Sequence, residues 1–191
     1  MPSRKKTDVS TLIAGVTREL RATQIDFMLI GGQAVLLHGR PRATEDIDLT
    51  LAADPSRLDD VLMVCKALEL EVLADDVETF VRQSFVLPAA DEQTGIRVDF
   101  IFSSTGYERT AIARADIVEV ESESVPFAAV EDLIILKLIA GRGVDIEDVK
   151  TIVRRKEAEI DWVYVTDWIR RFRQIEGHED LEDRLDEVRN G

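Results

Sequence analysis

The chain has 191 residues, 45% of them hydrophobic, which provides one ordinary domain with a sizeable core and at most a small appended region. Its 38 acids against 24 Lys and Arg leave a net charge of −14, which excludes a broad basic surface for coating nucleic acid. Apolar runs no longer than "LIILKLIA", no secretory leader after "MPSRKKTDVS" and a lone Cys65 point to a cytoplasmic protein with no membrane span and no internal disulfide.

"DVSTLIAGVTRELRAT" places Leu12, Ile13, Val16 and Leu20 on one stripe and predicts an amphipathic helix. "DFMLIGG" is a short apolar run ending in glycine, a buried strand, and "QAVLLHG" is a short helix with Gly39 expected as its left-handed cap. "DIDLTLA" alternates, with Asp46, Asp48 and Thr50 on one face and Ile47, Leu49 and Leu51 on the other. "DPSRLDDVLMVCKALEL" reads as one helix with Pro55 near its start, burying an inert Cys65. "SFVLPA" and "IRVDFIF" are two strands joined by the turn-rich "ADEQTG"; "GYERTAIARA" is a short helix and "IVEVESESVPFAA" a hairpin. From Glu131 onward four helical patterns follow one another. The expected architecture is therefore α/β: a small mixed sheet with flanking helices over residues 1–130, and a C-terminal helical region over 131–191 packed on it.

Two features of this chain are unnecessary for a core. Gly31 and Gly32 follow a strand and precede a helix, where the absence of side chains lets the chain turn sharply and lets a phosphate approach the first N–H groups; a plain turn uses the same residues. Asp46 and Asp48 put two repelling carboxylates on one face of a strand, against strand propensity. A hard divalent cation removes that repulsion, and magnesium suits a few carboxylates combined with substrate phosphates. Asp99 is a third carboxylate in the strongly strand-like "IRVDFIF"; if that strand lies beside the first, three acids converge and can hold two metal ions.

Gly31-Gly32, thirteen intervening residues, Asp46-Ile47-Asp48, and later Val98-Asp99-Phe100 resemble the DNA polymerase beta-like nucleotidyltransferase superfamily. The fuller string "GGQAVLLHGRPRATEDIDL" is similar to its small prokaryotic branch of minimal nucleotidyltransferases and abortive-infection toxin enzymes, and "EDLIILKLIAGRGVDIEDVKTI" is similar to a helical segment there whose lysine faces the nucleotide. Toxin enzymes often carry Arg-Asp where this chain has Val144-Asp145. The resemblance implies a nucleotidyltransferase fold and transfer of a nucleoside monophosphate from a nucleoside triphosphate, with release of pyrophosphate. It assigns magnesium and triphosphate to Asp46 and Asp48, a second metal and the acceptor hydroxyl to Asp99, and the phosphates to Gly31 and Gly32. The acceptor is an RNA end, a protein hydroxyl or a small molecule. A cognate antitoxin or regulator is the implied partner if the chain serves in toxin–antitoxin or phage defence. A degenerate module that binds nucleotide or protein without turnover is the alternative.

Other residues carry two readings each. Lys137 interrupts an apolar helix, so its head points at an anion such as triphosphate or reaches water through a gap; on either reading a methionine there leaves the fold intact. Arg42, in the loop before Asp46, contacts phosphate or pairs with Glu45 or an aspartate, and Thr44 offers a hydroxyl to the same loop. Asp145 and Asp148 have the spacing of helix caps. In "WIRRFR", Trp168 and Phe172 are four apart and read as a core-facing pair with solvated arginines, rather than as a nucleic-acid patch.

Overall fold

Asp8 caps the first helix, α1 (Val9–Ala22), by accepting from Thr11 N at 2.8 Å, and the helix buries the expected stripe of Leu12, Ile13, Val16 and Leu20. The computed structural model describes residues 8–40, 44, 46–103 and 105–190. The chain forms two compact units, Met1–Gln33 with Thr44–Ala128 and Ala34–Ala43 with Ala129–Gly191.

In chain order the remaining elements up to Phe127 are β1 (Phe27–Leu29), α2 (Gly31–His38), β2 (Ile47–Leu51), α3 (Leu58–Ala67), β3 (Leu70–Val72), α4 (Val77–Ser84), β4 (Val86–Asp91), β5 (Arg97–Phe102), α5 (Gly106–Ala113), β6 (Asp116–Val120) and β7 (Glu123–Phe127). The described strands build one mixed sheet in the order β3-β4-β5-β2-β1-β7-β6. β2 runs parallel to β5 and β1 parallel to β7, and the other neighbours are antiparallel. Strands buried on both faces read as continuous apolar runs, and β1 has all three residues buried. Ile47, Leu49 and Leu51 of β2 are fully buried, beside Val98 and Phe100 of β5. The β6–β7 hairpin closes through Glu121 and Ser122, both at positive φ (49° and 69°), which matches the twist of a two-residue turn.

Three elements differ from the sequence reading. The helix expected to run to Leu70 ends at Ala67; Pro55 sits in a short 3-10 turn capped by Asp54, and Glu69 turns the chain at φ 56° into β3. Helix α4 has no counterpart in the sequence reading, and its single fully buried residue is Val81. Gly39 is not left-handed. A Cβ there would lie 2.8 Å from Thr151 Oγ1 and 3.0 Å from Ile152 Cγ1, so glycine is required by close packing.

The second unit contains α6 (Val130–Ala140), α7 (Gly143–Lys156), α8 (Trp162–Phe172) and α9 (Leu181–Asn190), the four helices expected from the periodicity. Leu133, Ile134, Ile135 and Leu138 of α6 are fully buried with Val149, Ile152, Val165, Ile169 and Leu181. Gly141, at φ 63°, ends α6, and Arg184 donates to Leu138 O at 2.8 Å beside it. On α8 the buried residues are Val165 and Ile169, whereas Trp168 and Phe172 are half-buried, ring centroids 5.9 Å apart, with Arg171 stacked on Trp168 at 4.7 Å. Among the described residues no helix is long and apolar enough to cross a membrane.

Cys65 is buried on α3, and burial pushes its thiol up to about 12. We expect it to stay unmodified by a thiol reagent at pH 8 in the native protein and to react fully in denaturant. Prompt labelling of the native state would show that α3 opens.

Candidate functional site

The register of β2 against β5 pairs Asp48 directly with Asp99, so the two carboxylates leave the same face of the sheet about 5 Å apart at the backbone. Asp48 is partly buried among neighbours that are wholly buried, with Ile47 and Leu49 anchoring the strand from the other face. Asp99 Oδ1 is shielded from solvent yet has no hydrogen-bond partner. Arg97 Nη2 stands 3.5 Å from that oxygen, within reach of charge attraction but not of a good hydrogen bond. Buried carboxylate oxygens are ordinarily satisfied, so an orphan beside a second carboxylate fits a cation.

Gly31 and Gly32 have a role that the strand–glycine–helix pattern alone does not reveal. Gly31 opens α2 at φ 61°, and a Cβ built on it would collide with the Asp48 carboxylate, lying 2.7 Å from Cγ and nearer still to Oδ2. Gly32 makes the same room for Thr44, whose Cβ would be 2.9 Å away. The glycines thus seat two site side chains against the start of α2, where the first N–H groups have no acceptor within the helix. Gly31→Ala is expected to force the left-handed conformation on a Cβ, costing about 1–2 kcal/mol, and to displace Asp48. Nucleotidyl transfer should fall about a hundredfold while the circular dichroism spectrum stays native. Undiminished turnover would show that Asp48 does not need this position.

Gln33 is a positioning residue the sequence reading missed. Buried on the first turn of α2, its Nε2 donates to Asp46 O at 3.2 Å and to Thr44 O at 3.4 Å, tying the approach to β2 onto the helix. Ile30 N donates to Asp48 O at 2.9 Å and fixes the same segment from the β1 side. The one available signal was an amide directly after the two glycines.

Asp46 is exposed and lies one residue before β2. Among the described residues no group of three or more His, Cys, Asp and Glu is gathered closely enough to hold a metal by itself. Asp48 and Asp99 therefore form the built pair, with Asp46 at its edge. Arg42 lies outside the described residues.

Lys137 belongs to the second unit and does not reach water. It is buried, and its Nζ lies 2.9 Å from Asp145 Oδ1 and 2.8 Å from Asp148 Oδ2. Asp145 and Asp148 are thus partners of Lys137 rather than helix caps; Arg142 also donates to Asp145, at 2.6 Å. Burial opposes ionisation of Asp145, but hydrogen bonds from Arg142 and Lys137 and their charges outweigh it and hold the carboxyl below its usual 3.8.

No curated protein sequence matches the chain. The fold is similar to that of the antibiotic-resistance factor ANT(2'')-Ia in solution, at 19% identity and a TM-score of 0.58, over 89% of this chain and 96% of that one. It is also similar to an antigenic nucleotidyltransferase-like protein from Paracoccidioides brasiliensis, at 15% identity and a TM-score of 0.56, over 94% and 92% of the two chains. A third likeness is the lincomycin-bound lincosamide antibiotic adenylyltransferase LnuA, at 12% identity and a TM-score of 0.51, over 78% of this chain and 98% of that one. At these identities the likeness establishes the fold. Residues 18–189 match the family model "Nucleotidyl transferase AbiEii toxin, Type IV TA system", and with most of its length so matched the chain belongs to the AbiEii family and is a nucleotidyltransferase.

Proposed function

We propose that the chain transfers a nucleoside monophosphate from a nucleoside triphosphate to an acceptor hydroxyl in a magnesium-dependent reaction, with Asp46, Asp48 and Asp99 as its carboxylates. The observation that carries this reading is the abreast pair Asp48 and Asp99, with an orphaned Asp99 oxygen and with Asp48 seated where only glycine fits. Asp48 and Asp46 would hold magnesium together with the triphosphate, and Asp99 a second ion. Magnesium, when bound, neutralises charge on the phosphates. The start of α2, with Gly31, Gly32 and the Thr44 hydroxyl, receives phosphate oxygens. Asp99 takes the proton of the acceptor hydroxyl as its oxygen bonds to the α-phosphorus and the bond to pyrophosphate breaks. The first unit supplies all of these groups; Lys137, engaged by Asp145 and Asp148, is not required by this reading.

The acceptor is an RNA end or a protein hydroxyl. Family membership supports a place in a toxin–antitoxin system, with a cognate antitoxin or regulator as partner; in this reading the system is cytoplasmic and serves phage defence. The test is incubation with each labelled nucleoside triphosphate and magnesium against cell lysate. Label on one macromolecular class, lost with Asp99→Asn, supports transfer. Metal-dependent triphosphate binding with no label on any acceptor would instead identify a binding module.

A further inference from the structure

Among the described residues the sheet ends at β6, an edge whose charged side chains are the carboxylates of Asp116 and Glu119. β6 is five residues of Asp-Ile-Val-Glu-Val with no proline and no lysine, three of them β-branched. Ile117 is 63% exposed, and Val118 and Val120 are only half-buried. The opposite edge, β3, has three residues. A regular edge with apolar side chains on both faces is a template for another strand.

Charge selects the occupant. The hairpin Asp116–Phe127 contains Asp116, Glu119, Glu121 and Glu123 and no Lys, Arg or His. Pairing β6 with β6 of a second copy would set these acids against each other in a dimer of chains that each carry −14. A cationic strand meets no such repulsion from Asp116, Glu119 and Glu121, whereas Glu123 already pairs with Arg18 and Arg21 of α1. Ile117 also lines a cavity of about 640 Å³ whose walls are apolar at Pro126, Ile112 and Ala52 and charged at Arg21, Asp26 and Arg109. In an added strand the residue opposite Ile117 shares its face and so faces the apolar wall of this cavity. The cavity adjoins Ala52, four residues along the chain from Asp48, which places it about 13 Å from the carboxylates.

We propose that the β6 edge docks an extended segment of a basic partner protein by strand addition, with lysines or arginines alternating with apolar residues. The probe is a short synthetic peptide alternating Lys with Val and Thr, compared with its Glu-for-Lys counterpart and with a version N-methylated at alternate residues to remove backbone pairing on one edge. By fluorescence anisotropy the Lys peptide should bind at least about tenfold more tightly than either control, and Ile117→Lys should weaken it about as much. Melting temperature and nucleotidyl transfer should be unchanged in Ile117→Lys, because Ile117 is exposed and outside the carboxylate site. Equal binding of the N-methylated peptide would reduce the effect to unspecific charge and overturn strand addition. So would no binding of the Lys peptide, or a concentration-dependent dimer in sedimentation that Ile117→Lys abolishes, which would give the edge to a second copy.

Discussion

Lys137→Met should strongly destabilise the second unit. Sequence alone suggests that methionine preserves the packing, but the ammonium is the buried partner of two buried carboxylates. Removing one member of such a set leaves charges without compensation, at a cost of about 3–5 kcal/mol. Arg142 still reaches Asp145, so the lower end applies, about 3 kcal/mol or a melting temperature lower by about 10 °C. Adding Asp145→Asn and Asp148→Asn to Lys137→Met should restore much of the loss, because removing a whole buried ion cluster is far less costly than breaking it. The pH dependence has a definite sign. Asp145 is held below 3.8 in the folded state, so its contribution is present above that value and is lost as pH falls toward the folded-state pKa. The gap between wild type and Lys137→Met should therefore narrow below about pH 4. An unchanged melting temperature at pH 7 would show that the ion cluster contributes nothing.

Asp48→Asn should separate stability from activity. With Asp99 abreast, the wild type holds two like charges close together, and the isosteric amide removes one of them. In chelator the variant should melt at the same temperature or higher, with a gain of up to about 1–2 kcal/mol. Magnesium with triphosphate should raise the wild-type melting temperature and leave the variant unmoved, since a ligand stabilises only a state that binds it. Transfer should drop about a thousandfold or more. Carboxylates held in structural bridges behave in the opposite way: the variant would lose stability in chelator and keep its ligand response.

The residues that violate local preference were the legible ones. Gly31-Gly32, Asp48 and Asp99 stand out because strands disfavour carboxylates and helices disfavour paired glycines, and the register of β2 with β5 brings Asp48 and Asp99 together as expected; Asp46, expected on the same strand, lies before it. The hairpin β6–β7 and the four C-terminal helices followed from plain periodicity. The boundary at Leu68–Leu70 did not, because its turn uses Glu69 at positive φ with no glycine or proline to mark it. Asp145 and Asp148 illustrate a different limit. An acid early in a helix looks like local capping, and only the tertiary fold shows it reaching a lysine on the preceding helix. Gln33 was hidden for the same reason: its bonds run to backbone oxygens eleven and thirteen residues away.

In the proposed reaction Asp48 and Asp99, with Asp46, bind triphosphate through magnesium. Calorimetric titration of the wild type with a nucleoside triphosphate, once with magnesium and once with chelator, tests it most directly. We expect affinity at least about tenfold higher with magnesium, because the cation bridges anions that otherwise repel one another. Equal affinity in the two titrations would contradict the metal site.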